Sequence, residues 1–76
     1  MEVKELKKYI GKSLDKFLIN IPCKTKIALV NKMGDIYYYG KIKNIPDKQK
    51  NLYFYKVVDF IYTDITETLA IEIETY

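Results

Sequence analysis

The segment TKIALVNKMGDIYYYGKIK, residues 25–43, decides the fold, because hydrophobic residues recur at every second position on either side of a turn. Ile27 and Leu29 alternate before the turn, and the Gly34-Asp35 pair marks the turn itself. Alternation with a period of two is typical of a strand that buries one face. The segment therefore predicts a β-hairpin.

The second strand of this hairpin contains three consecutive tyrosines, which cannot all enter the same core. Successive side chains of a strand point to opposite faces of the sheet. We therefore expect Tyr38 to face the core, and Tyr37 and Tyr39 to lie on the other face. Lys41 and Lys43 continue that other face toward the end of the strand.

The remainder of the chain reads as a loop followed by a second hairpin. The polar segment 44–51 contains Pro46 and predicts a loop, with room for one helical turn. LYFYKVVDFIYTD, residues 52–64, predicts a third strand whose inward residues are Val58, Phe60 and Tyr62 and whose outward residues are Val57 and Ile61. A turn at 63–67 leads to the last strand, which should bury Leu69, Ile71 and Ile73 and expose Ala70, Glu72 and Glu74.

The first 21 residues follow a different period. Hydrophobic residues recur there at spacings of three and four, which indicates one face of a helix; they are Val3, Leu6, Ile10, Leu14, Phe17, Leu18 and Ile21. Gly11 interrupts this pattern, so we expect one helix over 2–10 and a second turn or short helix over 13–19. The alternation within 17–21 is equally compatible with a strand.

These elements predict a single α+β domain spanning residues 1–76, in which an N-terminal helix packs on an antiparallel sheet of about four strands. The alternative is a small barrel of the Sm-like or SH3-like type. The conformation of residues 17–21 decides between an open sheet and a barrel.

The charges are divided along the chain. Residues 1–56 carry thirteen lysines and five carboxylates, a net +8, whereas residues 57–76 carry five carboxylates and no lysine, a net −5, which together give +3. The simplest expectation is that acidic strands pair with lysine-bearing strands, so that the charges interleave across the sheet.

Several kinds of chemistry lack the residues they need. The chain has no histidine and one cysteine, Cys23, so it cannot build the usual zinc ligand sets, an activated thiol or an internal disulfide. Its three glycines are too far apart for a phosphate-binding loop. We expect a non-enzymatic protein with no metal or cofactor and a structural Cys23. Without a long apolar run, we expect a cytosolic protein with no membrane contact.

Five short segments together resemble short proteins encoded by phages and mobile elements of low-GC Gram-positive bacteria. They are VKEL (3–6), YYYG (37–40), NIP (44–46), KVVDFIY (56–62) and TLAIEI (68–73). Proteins of that group include inhibitors of host defence systems such as CRISPR. The resemblance implies a phage or mobile-element accessory protein that acts on a host or phage protein in the cytoplasm of the bacterial host cell.

Residues 26–55 are also similar to the first motif of Sm-like proteins, in which two strands and an Asp-Asn loop follow an N-terminal helix. Gly34, Gly40, Asp47 and Asn51 occupy matching positions. This second resemblance implies a small barrel that binds single-stranded RNA. The second half of the chain lacks the glycine-containing strand that closes such a barrel.

The candidate site is an aromatic patch on the uncovered face of the sheet. We expect it to comprise Tyr37, Tyr39, Tyr53 and Tyr55, or Val57 and Ile61 in place of the last two, with Lys41, Lys43 and Lys56 on its rim. Such patches seldom stay bare in monomeric proteins. The patch could serve as a homodimer seam or as ordinary β-formers, as a docking face for another protein, or as a stacking platform for single-stranded nucleic acid. Protein binding is the function we expect, with nucleic acid as the alternative.

Overall fold

The computed structural model describes residues 3–75 and contains four helical segments and four strands. The helical segments are a first 3-10 helix (Val3–Tyr9), the α-helix α1 (Leu14–Leu18), a second 3-10 helix (Ile42–Asn44) and a third 3-10 helix (Asp47–Phe54). The strands are β1 (Lys26–Val30), β2 (Ile36–Lys41), β3 (Val57–Thr63) and β4 (Thr68–Ile73).

The strands form one open sheet in the order β2-β1-β4-β3. Both predicted hairpins are present and antiparallel, β1 with β2 and β3 with β4. The two hairpins join through β1 and β4, which run parallel. The α+β class and the four strands are confirmed. The sheet is mixed, not wholly antiparallel, because the chain crosses from β2 to the far edge of the sheet before β3 begins. The small-barrel alternative is wrong, since the edge strands β2 and β3 do not pair with each other.

Residues 17–21 belong to the helical layer. Phe17 and Leu18 close α1, and the following Ile19 keeps helical backbone angles (φ −66°, ψ −14°). Gly11, at φ +90°, separates the first 3-10 helix from α1, as its position in the sequence pattern predicts. The Ser13 hydroxyl donates a hydrogen bond to Asp15 in the first turn of α1, and this bond lowers the pKa of the Asp15 carboxyl.

The core lies between the helical layer and one face of the sheet. The helical layer and the loops contribute Leu6, Leu14, Phe17, Leu18, Ile21, Ile45 and Leu52, and the sheet contributes Ile27, Leu29, Val57, Leu69, Ile71 and Ile73. The rings of Phe17 and Phe60 meet across this boundary with centroids 5.4 Å apart. All three apolar residues predicted to point inward from β4 are buried, which confirms that alternation.

Strand β3 differs from its prediction in two ways. It begins at Val57, because residues 52–54 are part of the third 3-10 helix and Leu52 enters the core. A register shift between Val57 and Asp59 then reverses the facing of the two valines, so Val57 is 1% exposed and Val58 is 43% exposed. Beyond this bulge the pattern holds, since Phe60 and Tyr62 pack against the core and Ile61 is exposed.

Backbone hydrogen bonds attach the helical layer to the start of β3. The Gly11 N–H donates to the Val57 carbonyl, the Val57 N–H donates to the Lys12 carbonyl, and the Leu14 N–H donates to the Tyr55 carbonyl. The helical segments are therefore held over one face of the sheet. The opposite face, called the outer face below, is left without a covering layer of residues 3–75.

Candidate functional site

The middle of the outer face is a straight row of four residues, one from each strand. Ala28 pairs with Tyr39 on one side and with Ala70 on the other, and Ala70 pairs with Ile61. Directly paired residues share a face, so the row runs Tyr39, Ala28, Ala70, Ile61. Tyr39 is 60% exposed and Ile61 is 67% exposed, although both are large and hydrophobic.

Two further rows flank this one and complete the outer face. Toward the C-terminal ends of β1 and β4 the row is Ile36, Val30, Glu72 and Asp59, and toward their N-terminal ends it is Lys41, Lys26, Thr68 and Thr63. The outer face is therefore defined by these twelve residues, with an apolar middle and charged residues in two opposite corners.

The outer face has the shape of a shallow channel along the strand direction. Tyr39 and Ile36 form one wall on β2, and Ile61 forms the opposite wall on β3. The small side chains of Ala28 and Ala70 form the floor between them. With neighbouring strands roughly 4.8 Å apart, three spacings separate the walls by about 14 Å. Part of the channel is a depression lined by Val30, Asp59, Phe60, Ile61, Ala70 and Glu72.

Like charges lie side by side on this face. Lys26 pairs directly with Lys41, and Asp59 pairs directly with Glu72. The expectation that opposite charges interleave across the sheet is therefore wrong for the outer face. Such like-charge pairs weaken a sheet. Two corners of opposite sign remain, which we call the lysine corner (Lys26 and Lys41) and the carboxylate corner (Asp59 and Glu72).

Among residues 3–75 the one ion pair joins Lys50 to Asp47, 2.9 Å apart in the third 3-10 helix, away from the outer face. Hydrogen bonding and attraction within this pair lower the pKa of Asp47 and raise the pKa of Lys50. Neither charged corner of the outer face has an ion-pair partner in the part of the chain that the structure describes.

On each edge strand of the sheet, a side chain forms a hydrogen bond with a backbone group. On β2, the Gln49 side-chain amide donates to the Tyr37 carbonyl at 2.7 Å. On β3, the Asp59 carboxylate accepts a hydrogen bond from the Phe60 N–H at 2.8 Å. Natural sheets blunt their edges in this way against pairing with other chains. These contacts favour the outer face over either edge as a contact surface.

The structure places Tyr39 and Lys41 on the outer face, as predicted, but not Tyr37. A register shift in the β1–β2 pairing skips Tyr37, since Leu29 pairs with Tyr38 and Val30 with Ile36. Tyr37 packs against the core, and its hydroxyl accepts a hydrogen bond from Asn31 and donates one to Thr75. The expectation that Tyr37 and Tyr39 share a face is wrong because this bulge breaks the alternation.

Tyr53 and Tyr55 do not join Tyr39 either. Tyr53 lies in the third 3-10 helix and Tyr55 directly follows it, and both pack against the core from the helical layer. Lys43 lies exposed in the second 3-10 helix, beyond the end of β2. Of the two alternatives on β3, Ile61 is on the outer face, whereas Val57 is buried in the core.

The sequence prediction missed the floor of the channel. Ala28 was not assigned to the site, although it lies between Ile27 and Leu29 and so must point away from the core. Ala70 stands in the same relation to Leu69 and Ile71. Their alignment with Tyr39 and Ile61 depends on the strand order, which local alternation does not contain.

Within residues 3–75 no group of three or more His, Cys, Asp and Glu residues is arranged to hold a metal ion. Cys23 is exposed and forms no disulfide with another described residue. None of the helices formed by these residues combines the length and the apolar composition needed to cross a bilayer.

Comparison of the chain with protein-family models, with curated proteins and with solved structures gives no match. The functional argument therefore depends on the residues of the outer face and on their geometry.

Proposed function

We propose that the protein is a non-enzymatic binding module and that the outer face is its docking surface for another protein. The observation that supports this most directly is the aligned row of Tyr39, Ala28, Ala70 and Ile61, whose two large side chains remain mostly exposed. Contiguous apolar surface rimmed by charge marks interaction sites. Tyrosine is enriched among the residues that dominate protein–protein affinity.

Tyr39 and Ile61 act as the two apolar anchors in this proposal. The lysine corner and the carboxylate corner form the rim and select a partner of complementary charge, since charge patterns determine specificity and association rate more than affinity. The occupied backbone groups on β2 and β3 support a contact made by side chains of the face.

The partner we propose is a host or phage protein. The resemblance to short phage and mobile-element proteins of low-GC Gram-positive bacteria suggests this partner class, and an inhibitor of a host defence system is one role within it. Nucleic acid is the competing ligand, because Tyr39 lies beside the lysine corner. The carboxylate corner on the same face would repel a phosphate backbone, which favours protein.

The test is affinity capture from a lysate of a low-GC Gram-positive bacterium, with and without nuclease, using three versions of the protein. One is the native chain, and one carries Tyr39→Ser with Ile61→Ser. The control carries Phe54→Ser with Ile65→Ser, which removes an aromatic and an isoleucine that are 83% and 95% exposed elsewhere. Circular dichroism and urea unfolding check that both variants are folded.

We expect a near-stoichiometric protein that survives nuclease treatment, binds the native chain and the control, and is lost from the outer-face variant. A captured protein that the outer-face variant retains would contradict the docking surface. Capture of nucleic acid alone, lost on digestion, would contradict the function itself.

A further inference from the structure

We infer that the occupant of the outer face is an amphipathic α-helix of the partner protein. This helix lies antiparallel to β1 and β4, with its N-terminal end at the carboxylate corner and its C-terminal end at the lysine corner. The inference rests on the proposed function, since it names the structural class and the orientation of what docks there.

The parallel pairing at the centre of the sheet favours a helix as the occupant. β1 and β4 run parallel over five residue pairs, from Lys26 with Thr68 to Val30 with Glu72. Sheets made wholly of parallel strands are almost always covered on both faces, typically by helices, and the central pair of this mixed sheet shares their pairing. Here the helical layer covers the inner face, and the outer face of the same two strands is bare. A docked helix would complete a helix–sheet–helix arrangement.

The shape of the channel also fits a helix. Its walls are about 14 Å apart, and a helix with its side chains is roughly 10–12 Å wide. The floor between the walls consists of Ala28 and Ala70, whose single methyl groups allow a helix backbone to approach the sheet closely. Tyr39 and Ile61 would then contact the two sides of the helix.

A second copy of the chain fits this channel poorly. With a twofold axis along the strands, Tyr39 meets Ile61 of the other copy, and with an axis across the strands each residue of the middle row meets its own equivalent. In both arrangements the walls touch and the alanine floors stay apart. In neither arrangement does the lysine corner of one copy lie against the carboxylate corner of the other, so no opposite charges pair between the copies.

The two charged corners determine the direction of the helix. The lysine corner lies at the N-terminal ends of β1 and β4, and the carboxylate corner lies at their C-terminal ends. A helix carries partial positive charge at its N-terminus and partial negative charge at its C-terminus. An antiparallel helix therefore places each of its ends against the corner of opposite charge, and the reversed helix places each end against like charge.

The inference is tested with two display libraries of lactam-stapled helical peptides that share a randomised apolar stripe. One library has lysines in the first turn and glutamates in the last, and the other has the reverse. Each is selected against the native protein and counter-selected against the variant with Tyr39→Asp and Ile61→Asp. A third library, of small folded domains without exposed helices, is selected in the same way.

We expect binders chiefly from the library with lysines first, and we expect the Tyr39→Asp and Ile61→Asp variant to bind them at least roughly tenfold more weakly. A variant with Phe54→Asp and Ile65→Asp should bind them like the native protein, because both residues lie off the outer face. Sedimentation of the free protein before and after adding peptide should show a monomer and a one-to-one complex.

The orientation is measured with a nitroxide spin label on Cys23, which is the one cysteine of the chain and is exposed. Cys23 lies at the lysine end of the channel, where its carbonyl accepts a hydrogen bond from the Lys43 N–H. NMR of an isotope-labelled peptide should show paramagnetic broadening in its C-terminal half. Broadening confined to the N-terminal half would overturn the proposed direction.

The remaining outcomes separate this inference from the proposed function. If binders that depend on the outer face came only from the library of small folded domains, the helical occupant would be contradicted. The docking surface itself would still be supported. A dimer of the free protein that the Tyr39→Asp and Ile61→Asp variant abolishes would also contradict the helical occupant, since a second copy would then cover the face. If no library yields a binder that this variant loses, the proposed function fails with it.

Discussion

The two faces of the sheet are built from the same strands but carry different side chains. On the inner face, Ile27 and Leu29 of β1 lie beside Leu69 and Ile71 of β4, and all four are fully buried. On the outer face the intervening positions are Ala28 and Ala70. Alternation of hydrophobic residues along a strand shows that one face of the sheet is buried. The size of the residues between them shows how closely another molecule can approach the opposite face.

Neighbouring positions on the same strand have different roles. Large aliphatic residues at the inner positions exclude water and supply most of the hydrophobic stabilisation. In the middle row of the outer face the large residues stand only on β2 and β3, where they border the channel without filling it. We therefore expect substitutions on the inner face to change stability and substitutions on the outer face to change binding.

The largest expected loss of stability comes from a substitution on the inner face. Ile71 and Ile61 lie on neighbouring strands, but Ile71 is fully buried and Ile61 is exposed. Ile71→Ala should lower the free energy of unfolding by about 2–5 kcal/mol, because it removes buried methyl groups and leaves a cavity. Ile61→Ala should change it by no more than about 0.5 kcal/mol.

Urea unfolding followed by circular dichroism measures both variants under the same conditions. Similar losses for the two isoleucines would mean that the outer face is covered within the free protein, in contradiction to the assignment of its faces.

The second prediction concerns the end of β2, where Gly40 has φ +150° and pairs with Ile27. A Cβ at Gly40 would lie 2.8 Å from the Tyr38 hydroxyl oxygen, which donates a hydrogen bond to the Lys41 carbonyl. Gly40→Ala should cost roughly 1–3 kcal/mol, because the backbone conformation strains any L-residue and the tyrosine must shift.

Gly34→Ala is the matched control, since Gly34 has φ +88° and a Cβ there meets no atom within 4 Å. Both glycines have positive φ, but +150° lies further from the left-handed region than +88°, so the difference between the variants combines extra backbone strain with the collision with Tyr38. Tyr38→Phe combined with Gly40→Ala should recover part of that difference in a double-mutant cycle of unfolding free energies. Equal costs for Gly34→Ala and Gly40→Ala would show that the tyrosine moves freely.

Regular alternation and helical spacing were sufficient to predict the α+β class, both hairpins, the break at Gly11 and the buried face of β4. They were also sufficient to place Tyr39, Lys41 and Ile61 on the outer face. Local sequence is sufficient where the side chains keep a regular period, as they do along β4 and in the parts of β2 and β3 that follow their bulges.

The errors fall where longer-range packing overrides that period. The bulge at Tyr37 turns this residue toward the core, and the bulge at Val58 reverses the facing of Val57 and Val58. Neither bulge has a distinct sequence signature. The segment 52–55 has strong β-propensity, yet burial of Leu52 under the helical layer keeps it out of the sheet. The parallel pairing of β1 with β4 depends on the order of the strands in the sheet, and so does the channel. Local alternation does not contain this order.

The smallest expected loss of stability concerns the edge strand β2. Gln49→Ala removes the side-chain amide that donates to the Tyr37 carbonyl on β2. This partly buried hydrogen bond should contribute about 0.5–1.5 kcal/mol to the free energy of unfolding. Lys48→Ala, at an exposed neighbouring position, should leave it within about 0.5 kcal/mol.

The same variant distinguishes edge pairing from face docking. Once the Tyr37 carbonyl is free, β2 offers an unblocked acceptor to other chains, so concentrated Gln49→Ala should self-associate more than the native protein in sedimentation velocity. Its affinity for a partner of the outer face should not change, because Gln49 lies off that face. A Gln49→Ala variant that lost the partner but gained no self-association would mean that the partner pairs with the edge of β2, and docking would then depend on backbone hydrogen bonds and not on Tyr39 and Ile61.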